Sequence, residues 1–153
     1  MFSLLRQYVR DVQHELVPQC RVLTVGERAL ARSVFGDALG LDTVRLCSSR
    51  LILKRYAMSP NGVVYFNPND FVTDFSLTPL NTQAWLIHEL THVWQVQQGI
   101  AVFRRALVDR RYNYVLVEGK AFLQYGVEQQ AQMVQDWFLM RARGEECEAV
   151  LPF

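Results

Sequence analysis

The chain has 153 residues, half of which are hydrophobic, and its 16 basic and 15 acidic side chains give a formal net charge of +1. This length predicts a single domain, residues 1–153, with enough apolar material for a buried core. The near-zero charge argues against nucleic-acid binding, and no apolar run approaches the roughly 18 residues that a membrane-spanning helix requires.

The amino-terminal segment is predicted to be an amphipathic helix over residues 3–17, which Pro18 ends. His14 lies in this helix and is interpreted as a structural histidine. The first residues lack the apolar stretch and the cleavage site of a secretory signal peptide. We therefore expect a cytoplasmic location in the producing cell and, if the protein leaves that cell, export by a specialised secretion system.

The three cysteines, Cys20, Cys47 and Cys147, are widely spaced and form no Cys-x-x-Cys pair. Their odd number and their spacing predict neither a disulfide framework nor a zinc–thiolate site. A reducing folding compartment fits this pattern, because disulfides persist mainly in oxidising compartments.

A small β-structure is predicted in the first half of the chain. Thr24–Glu27 forms a capping box that begins a short helix ending at Phe35, and a short strand is predicted over 44–46. A hairpin follows, with arms over 50–58 and 62–66 around a turn rich in proline, asparagine and glycine. The second arm has two interpretations: a plain sheet strand, or an edge to which a peptide substrate adds as a further strand.

The segment His88–His92 has the sequence His-Glu-Leu-Thr-His. In a helix its two imidazoles lie on one face about one turn apart, so both can bind one zinc ion. Glu89 projects roughly 100° away around the helix, too far to ligate easily but near enough to contact a water at the metal. This pattern is typical of zinc peptidases, in which the glutamate is the general base.

The residues around the motif predict the helix that it requires. Thr78, Pro79 and Asn81 are start signals, Gly99 is a stop signal, and residues 83–98 contain neither proline nor glycine. Apolar side chains fill one arc of the helical wheel, and the two histidines lie on the opposite arc. The alternative is a helix whose histidines lie at the surface or the edge of the core and hold no metal.

A catalytic zinc ion needs a third protein ligand, and no further histidine follows His92. The ligand is therefore predicted to be a carboxylate. Glu128 is favoured, because it opens a long helix predicted from 126 or 127 to 142 and has an alanine three residues later that permits close packing. Glu118 is the second candidate, although it follows the extended run 112–117 and precedes a glycine.

Three tyrosines, Tyr112, Tyr114 and Tyr125, are candidate catalytic donors, with Tyr114 and Tyr125 preferred. A phenol can donate a hydrogen bond to the oxyanion that forms when a carbonyl is attacked. Ordinary aromatic packing is the alternative for each of them. Asp136 lies two turns after Glu128 and is a candidate for orienting a ligating histidine.

The His-Glu-x-x-His motif with a glutamate on a later helix resembles the gluzincin class of zinc metallopeptidases. A narrower resemblance covers most of residues 50–140 and rests on 88–95, 112–114 and 125–131. These segments are similar to small bacterial metallopeptidase-like proteins associated with Rhs and other polymorphic-toxin or type VI secretion systems. The resemblance implies Glu128 as the third ligand, a bacterial origin, and a secretion-system, inhibitor or immunity partner.

The predicted fold is therefore α+β and zincin-like, with a small β-hairpin or sheet ahead of an active-site helix that packs on a second long carboxy-terminal helix. The predicted function is hydrolysis of peptide bonds by a zinc-activated water, with Glu89 as general base and His88, His92 and Glu128 as zinc ligands. The substrate would be a peptide or protein, and the protein a secreted toxin-type effector. Two alternatives stay open: a zinc-binding, peptidase-like module that acts in protein interaction or effector delivery, and hydrolysis of a non-protein amide.

Overall fold

A computed structural model describes residues 18–153, so the predicted amino-terminal helix and His14 lie outside the described residues. Over the described range the fold is mixed α and β, as predicted, with four α-helices and one small four-stranded sheet. The helices are α1 (Val25–Phe35), α2 (Leu80–Gln97), α3 (Val102–Val108) and α4 (Val127–Ala142). The strands are β1 (Gln19–Arg21), β2 (Arg45–Ser48), β3 (Ala57–Met58) and β4 (Val63–Phe66).

Helix α1 begins at the predicted capping box. The side chain of Thr24 accepts a hydrogen bond from the backbone N–H of Glu27, and the Glu27 carboxylate accepts one from the backbone N–H of Thr24. The same fully buried carboxylate accepts bonds from two guanidinium nitrogens of Arg21 at 2.7 Å and from the backbone N–H of Phe75 at 2.8 Å. Because each oxygen is paired, this buried charge is tolerated and ties α1 to β1 and to the segment ahead of α2.

The sheet has the strand order β1-β2-β4-β3. Strand β2 runs parallel to β4, and the outer strands β1 and β3 run antiparallel to their neighbours. Val64 and Phe66 of β4 are fully buried, whereas the alternate residues of that strand are half-buried, as expected for a sheet with one core face. The ring of Phe66 meets the edge of Trp85 at 5.1 Å between centroids, so the sheet supports the first half of α2.

Two predictions for the hairpin require correction. Its first arm is only Ala57–Met58, because side chains further along the chain hold the preceding residues in turns. The Asn67 amide donates to the carbonyl of Ile52, and the Asp70 carboxylate accepts from the backbone N–H of Arg55, both at 2.6 Å. The second arm, β4, is not an edge strand, since β2 pairs with all four of its residues and β3 with the last two. The outer strand on this side of the sheet is β3.

The prediction against a disulfide framework did not anticipate the one disulfide that the structure shows. Cys20 and Cys47 are bonded, with their Cα atoms 4.0 Å apart. They are register partners in the antiparallel pair of β1 and β2. Strand register is set by the tertiary fold, so a separation of 27 residues in sequence does not reveal this pairing. Cys147 is a free thiol.

The two long helices α2 and α4 pack against each other and form the centre of the described structure. Both helices were predicted. The observed α2 begins three residues before the predicted stretch 83–98, and α4 has nearly the predicted bounds. Ala131 of α4 is fully buried, as its proposed role in close helix packing requires. Residues 86–95 of α2 are buried on both faces, so its polar side chains are enclosed as well as its apolar ones. Within residues 18–153 no helix is long and apolar enough to cross a bilayer.

Candidate metal centre

The structure brings His88 and His92 of α2 together with Glu128 of α4. One carboxylate oxygen, Oε2 of Glu128, lies 3.4 Å from Nε2 of His88 and 3.2 Å from Nε2 of His92. The three potential ligand atoms lie within 4.8 Å of one another, a group that could hold a metal ion. Both histidines are buried, and the Glu128 side chain is 13% exposed, so the group is largely shielded from solvent.

This convergence follows from the two helices. The four-residue spacing of the histidines places their imidazoles one turn apart, with ring centroids 5.0 Å from each other. Helix α4 begins where the Gln129 side chain accepts a hydrogen bond from the backbone N–H of Gly126 at 3.0 Å. Glu128 therefore lies in the first turn of α4, and the packing of α4 on α2 directs its carboxylate at both imidazoles.

The donor set fits zinc better than a hard cation. Two imidazole nitrogens and one carboxylate oxygen are ligands that zinc accepts, whereas magnesium and calcium prefer oxygen donors throughout. The three potential ligands found in the part of the chain that the structure describes also leave a fourth position for water or substrate, which distinguishes a catalytic zinc site from a closed structural one.

The charges at this group are strongly coupled. Burial by itself would raise the pKa of the Glu128 carboxyl, but hydrogen bonds from His88 and His92 and their charges hold that pKa well below its usual range. Burial by itself would lower the pKa of His92, yet the hydrogen bond to Glu128 and the charges of Glu89 and Glu128 raise it above its ordinary value. The carboxylate is therefore ionised over the physiological pH range, as a metal ligand must be.

Gln95 fixes the orientation of His92. The Nε2 amide nitrogen of Gln95 donates to the carbonyl of Val127 at 3.0 Å and to the side-chain oxygen of Gln130 at 2.9 Å. Its carbonyl oxygen must therefore face Nδ1 of His92, which lies 2.8 Å away and donates to it. When His92 is neutral, this contact keeps its proton on Nδ1, so the lone pair that a metal would bind is on Nε2, the nitrogen directed at Glu128.

The amide network also joins the two helices. Gln130 donates from its side chain to the carbonyl of Tyr125 at 2.7 Å, and both glutamines are fully buried. The orientation of His92 on α2 is thus set by backbone and side-chain groups at the start of α4. His88 has no such support, because its buried Nδ1 has no hydrogen-bond partner among the described residues.

Glu89 lies next to this group and is 5% exposed. Its Oε2 accepts a hydrogen bond from the hydroxyl of Ser59 at 2.8 Å. The negative charges of Glu89 and Glu128 both raise the pKa of His92. Glu89 is thus close to the histidines without being part of the ligand group, which is the arrangement that its place in the motif predicts.

The preferred tyrosines are not at the metal group, which corrects that prediction. The hydroxyl of Tyr114 donates to Asp136 at 2.9 Å, and that of Tyr125 accepts from the backbone N–H of Val117 at 3.0 Å. The third tyrosine, Tyr112, does approach, with its ring centroid 5.9 Å from that of His88 and a plane tilted by 31°. Burial and the charges of Glu128 and Glu89 raise the pKa of Tyr112 above its ordinary value.

Asp136 and Glu118 lie away from the ligand group. Asp136 bonds to Tyr114 and to the side chain of Gln132 and orients neither histidine. Glu118 is exposed and lines a cavity of about 680 Å³. None of the three potential metal ligands borders this cavity. The predicted extended run before it, 112–117, forms no strand.

Two residues with clear contacts at the site were missed as functional candidates. Gln95 has a weak sequence signal, since it follows His92 by three residues and so lies on the same helix face. Ser59 was assigned only to the turn after β3, and no sequence pattern connects it to Glu89, thirty residues later.

Comparison with known proteins places the chain in a family. The fold superposes on the effector domain of Pseudomonas aeruginosa VgrG2b with a TM-score of 0.73 and 41% sequence identity. The match covers 82% of this chain and 77% of that domain. The chain belongs to the VgrG2b effector-domain family. No protein-family model matches the sequence.

A second comparison relates the family to type VI secretion. The chain is 40% identical over 141 residues to the type VI secretion system spike protein VgrG2b of Pseudomonas aeruginosa. The match takes in 84% of this chain but only 14% of the spike protein, so the chain spans a small part of the length of that relative. The predicted association with type VI secretion is confirmed at the level of the family.

Proposed function

We propose that this chain is a zinc-dependent peptidase that serves as a type VI secretion effector. The observation that carries the proposal is the convergence of two imidazole nitrogens and one carboxylate oxygen within 4.8 Å, beside a buried glutamate that does not belong to the group. A structural site would be closed by a fourth protein ligand, whereas the donor set found within residues 18–153 leaves one position open.

The chain's own residues divide the chemistry between them. His88, His92 and Glu128 would hold zinc, which supplies Lewis acidity to make water more acidic and to polarise a peptide carbonyl. Glu89 accepts the proton of the attacking water and delivers it to the leaving amine. Gln95 holds His92 in the tautomer that ligation requires.

Tyr112 is the tyrosine that we assign as donor to the developing oxyanion. Its ring packs near His88, and a phenol is protonated at neutral pH and so has a proton to donate in a hydrogen bond. The side chain of Gln129 donates to the carbonyl of Asn113 at 2.7 Å, which holds the segment after Tyr112 close to the start of α4. Tyr112 is half-exposed, so it is also placed to meet an incoming substrate.

The relation to the VgrG2b effector domain supports the effector role. The arrangement of the three potential zinc ligands beside Glu89 supports the proposed peptidase activity. Together they favour a toxin-type effector that hydrolyses a peptide or protein in a target cell. An inhibitor or immunity protein in the producing cell would then be the expected partner.

The experiment compares wild-type protein with Glu89→Gln and with the control Glu118→Gln, which changes an exposed glutamate away from the site. Zinc content is measured by mass spectrometry, and hydrolysis with an unfolded, fluorescently labelled protein. We expect one zinc ion in all three proteins and a loss of hydrolysis of about 10²-fold or more only in Glu89→Gln. Equal behaviour of wild type and Glu89→Gln, including equal growth inhibition on expression, would favour the zinc-binding interaction module instead.

A further inference from the structure

Ser59 makes a buried contact with Glu89 that the sequence did not predict. It directly follows the outer strand β3, and its hydroxyl donates to Oε2 of Glu89 at 2.8 Å. Ser59 is 6% exposed and Glu89 5% exposed, so solvent does not replace this hydrogen bond readily. A hydrogen bond to an ionised carboxylate is stronger than one between neutral groups, and more so where water is excluded.

We propose that Ser59 is a positioning residue for the general base, an inference that rests on the proposed function. The hydroxyl engages Oε2 of Glu89 and thereby leaves Oε1 as the oxygen that accepts the proton from water. Proton transfer requires the base to be held within hydrogen-bonding reach of its partner, and a displacement of about 1 Å can cost about 10²-fold in rate.

A purely structural role for Ser59 would use its hydroxyl differently. Ser49, a serine of similar burial in the preceding turn, shows that use: its hydroxyl accepts from the backbone N–H of Leu51, two residues later, at 3.3 Å. The hydroxyl of Ser59 instead donates across the fold to the side chain of α2 that the proposed reaction needs. Since β3 is the outer strand of the sheet, Ser59 also connects that edge to the base.

The test uses zinc-loaded protein and four single substitutions: Ser59→Ala, Ser59→Thr, Ser49→Ala and Glu89→Ala. Ser49→Ala is the matched control, because it removes the same hydroxyl from a residue of similar burial whose hydroxyl bonds within its own turn and not to Glu89. We measure zinc content, kcat and KM on one cleaved peptide, and unfolding by denaturant for each single variant and for the double variant Ser59→Ala/Glu89→Ala.

We expect Ser59→Ala to bind zinc like the wild type and to lose roughly 10- to 100-fold in kcat while KM stays within about twofold. Ser59→Thr keeps a hydroxyl and should recover kcat to within about threefold of wild type. Ser49→Ala should retain wild-type kcat. In the double-mutant cycle the unfolding equilibrium constants should show a coupling of about tenfold between Ser59 and Glu89, which does not depend on activity.

Unchanged kcat in Ser59→Ala with an active wild type would overturn the role of Ser59 and leave the proposed function intact. The same conclusion follows if Ser49→Ala and Ser59→Ala lose equal activity, or if the cycle shows no coupling. A zinc-loaded wild type that hydrolyses no peptide would overturn both proposals, so the two failures are distinguishable.

Discussion

Replacing Gln95 by leucine tests the amide network that orients His92. Leucine has a similar volume but neither donates nor accepts hydrogen bonds. The substitution leaves three groups without their partner: the Nδ1–H of His92, the carbonyl of Val127 and the side-chain oxygen of Gln130. Because Gln95 is fully buried, water does not reach these groups without a change in structure.

The expected magnitude follows from that loss. The carbonyl of Val127 keeps the hydrogen bond that it accepts within α4, so two buried groups are left without any hydrogen bond. Each costs about 1–3 kcal/mol, and even the lower value gives about 2 kcal/mol for the two groups. For a domain of this size such a loss lowers Tm by about 4–8 °C. Zinc affinity should fall about 10- to 100-fold, because His92 is free to turn and to exchange its tautomer.

The matched control is Gln97→Leu, on the same helix. Gln97 also makes three hydrogen bonds, two with Gly40 and one with Thr43, but it makes them at the surface. Water can replace these, so the variant should lose less than about 1 kcal/mol and no zinc affinity. Thermal unfolding and zinc titration of both variants provide the comparison. Equal losses in Gln95→Leu and Gln97→Leu, or wild-type zinc affinity in Gln95→Leu, would refute the reasoning.

Three further predictions concern the ligands, the proton balance and the disulfide. Glu128→Ala should abolish stoichiometric zinc binding while Glu118→Ala retains it, measured as zinc content after dialysis; retention in Glu128→Ala would refute the assignment. The pKa of His92 is raised in the metal-free chain, so zinc must displace a proton from this imidazole and zinc affinity should fall as pH falls. Calorimetry in two buffers of different ionisation enthalpy should show that zinc binding releases protons near neutral pH. A binding enthalpy that does not depend on the buffer would contradict this. Cys20→Ser removes the disulfide between β1 and β2 and should lower the free energy of unfolding by about 2–4 kcal/mol while zinc content stays unchanged. Denaturant titration under oxidising conditions measures this loss. Under reducing conditions, where the wild-type disulfide is also open, the substitution should have no effect.

Local patterns were sufficient for α1, α2, α4 and the motif, whereas α3 was not predicted. The capping box at Thr24–Glu27 and the uninterrupted stretch before Gly99 identify their helices because the signals lie within a few residues of each other. The choice of Glu128 over Glu118 could also be made locally, since only the former lies at the start of a helical run.

Contacts between distant segments were not accessible in the same way. Of the two interpretations of β4, the edge strand was wrong and the plain sheet strand was right, because the neighbours of a strand are set by the whole sheet and not by its own residues. The disulfide between Cys20 and Cys47 was not predicted for the same reason, since it depends on the register of β1 against β2.

The spacing of two histidines in one helix determines that their imidazoles share a face, and one chain segment is enough to establish this. Tertiary packing alone decided which nitrogen of His92 carries its proton, which serine anchors Glu89 and which tyrosine approaches His88. The first depends on the hydrogen bonds of Gln95 to α4, and the other two join segments that are far apart in sequence, so short-range sequence periodicity contains no information about them.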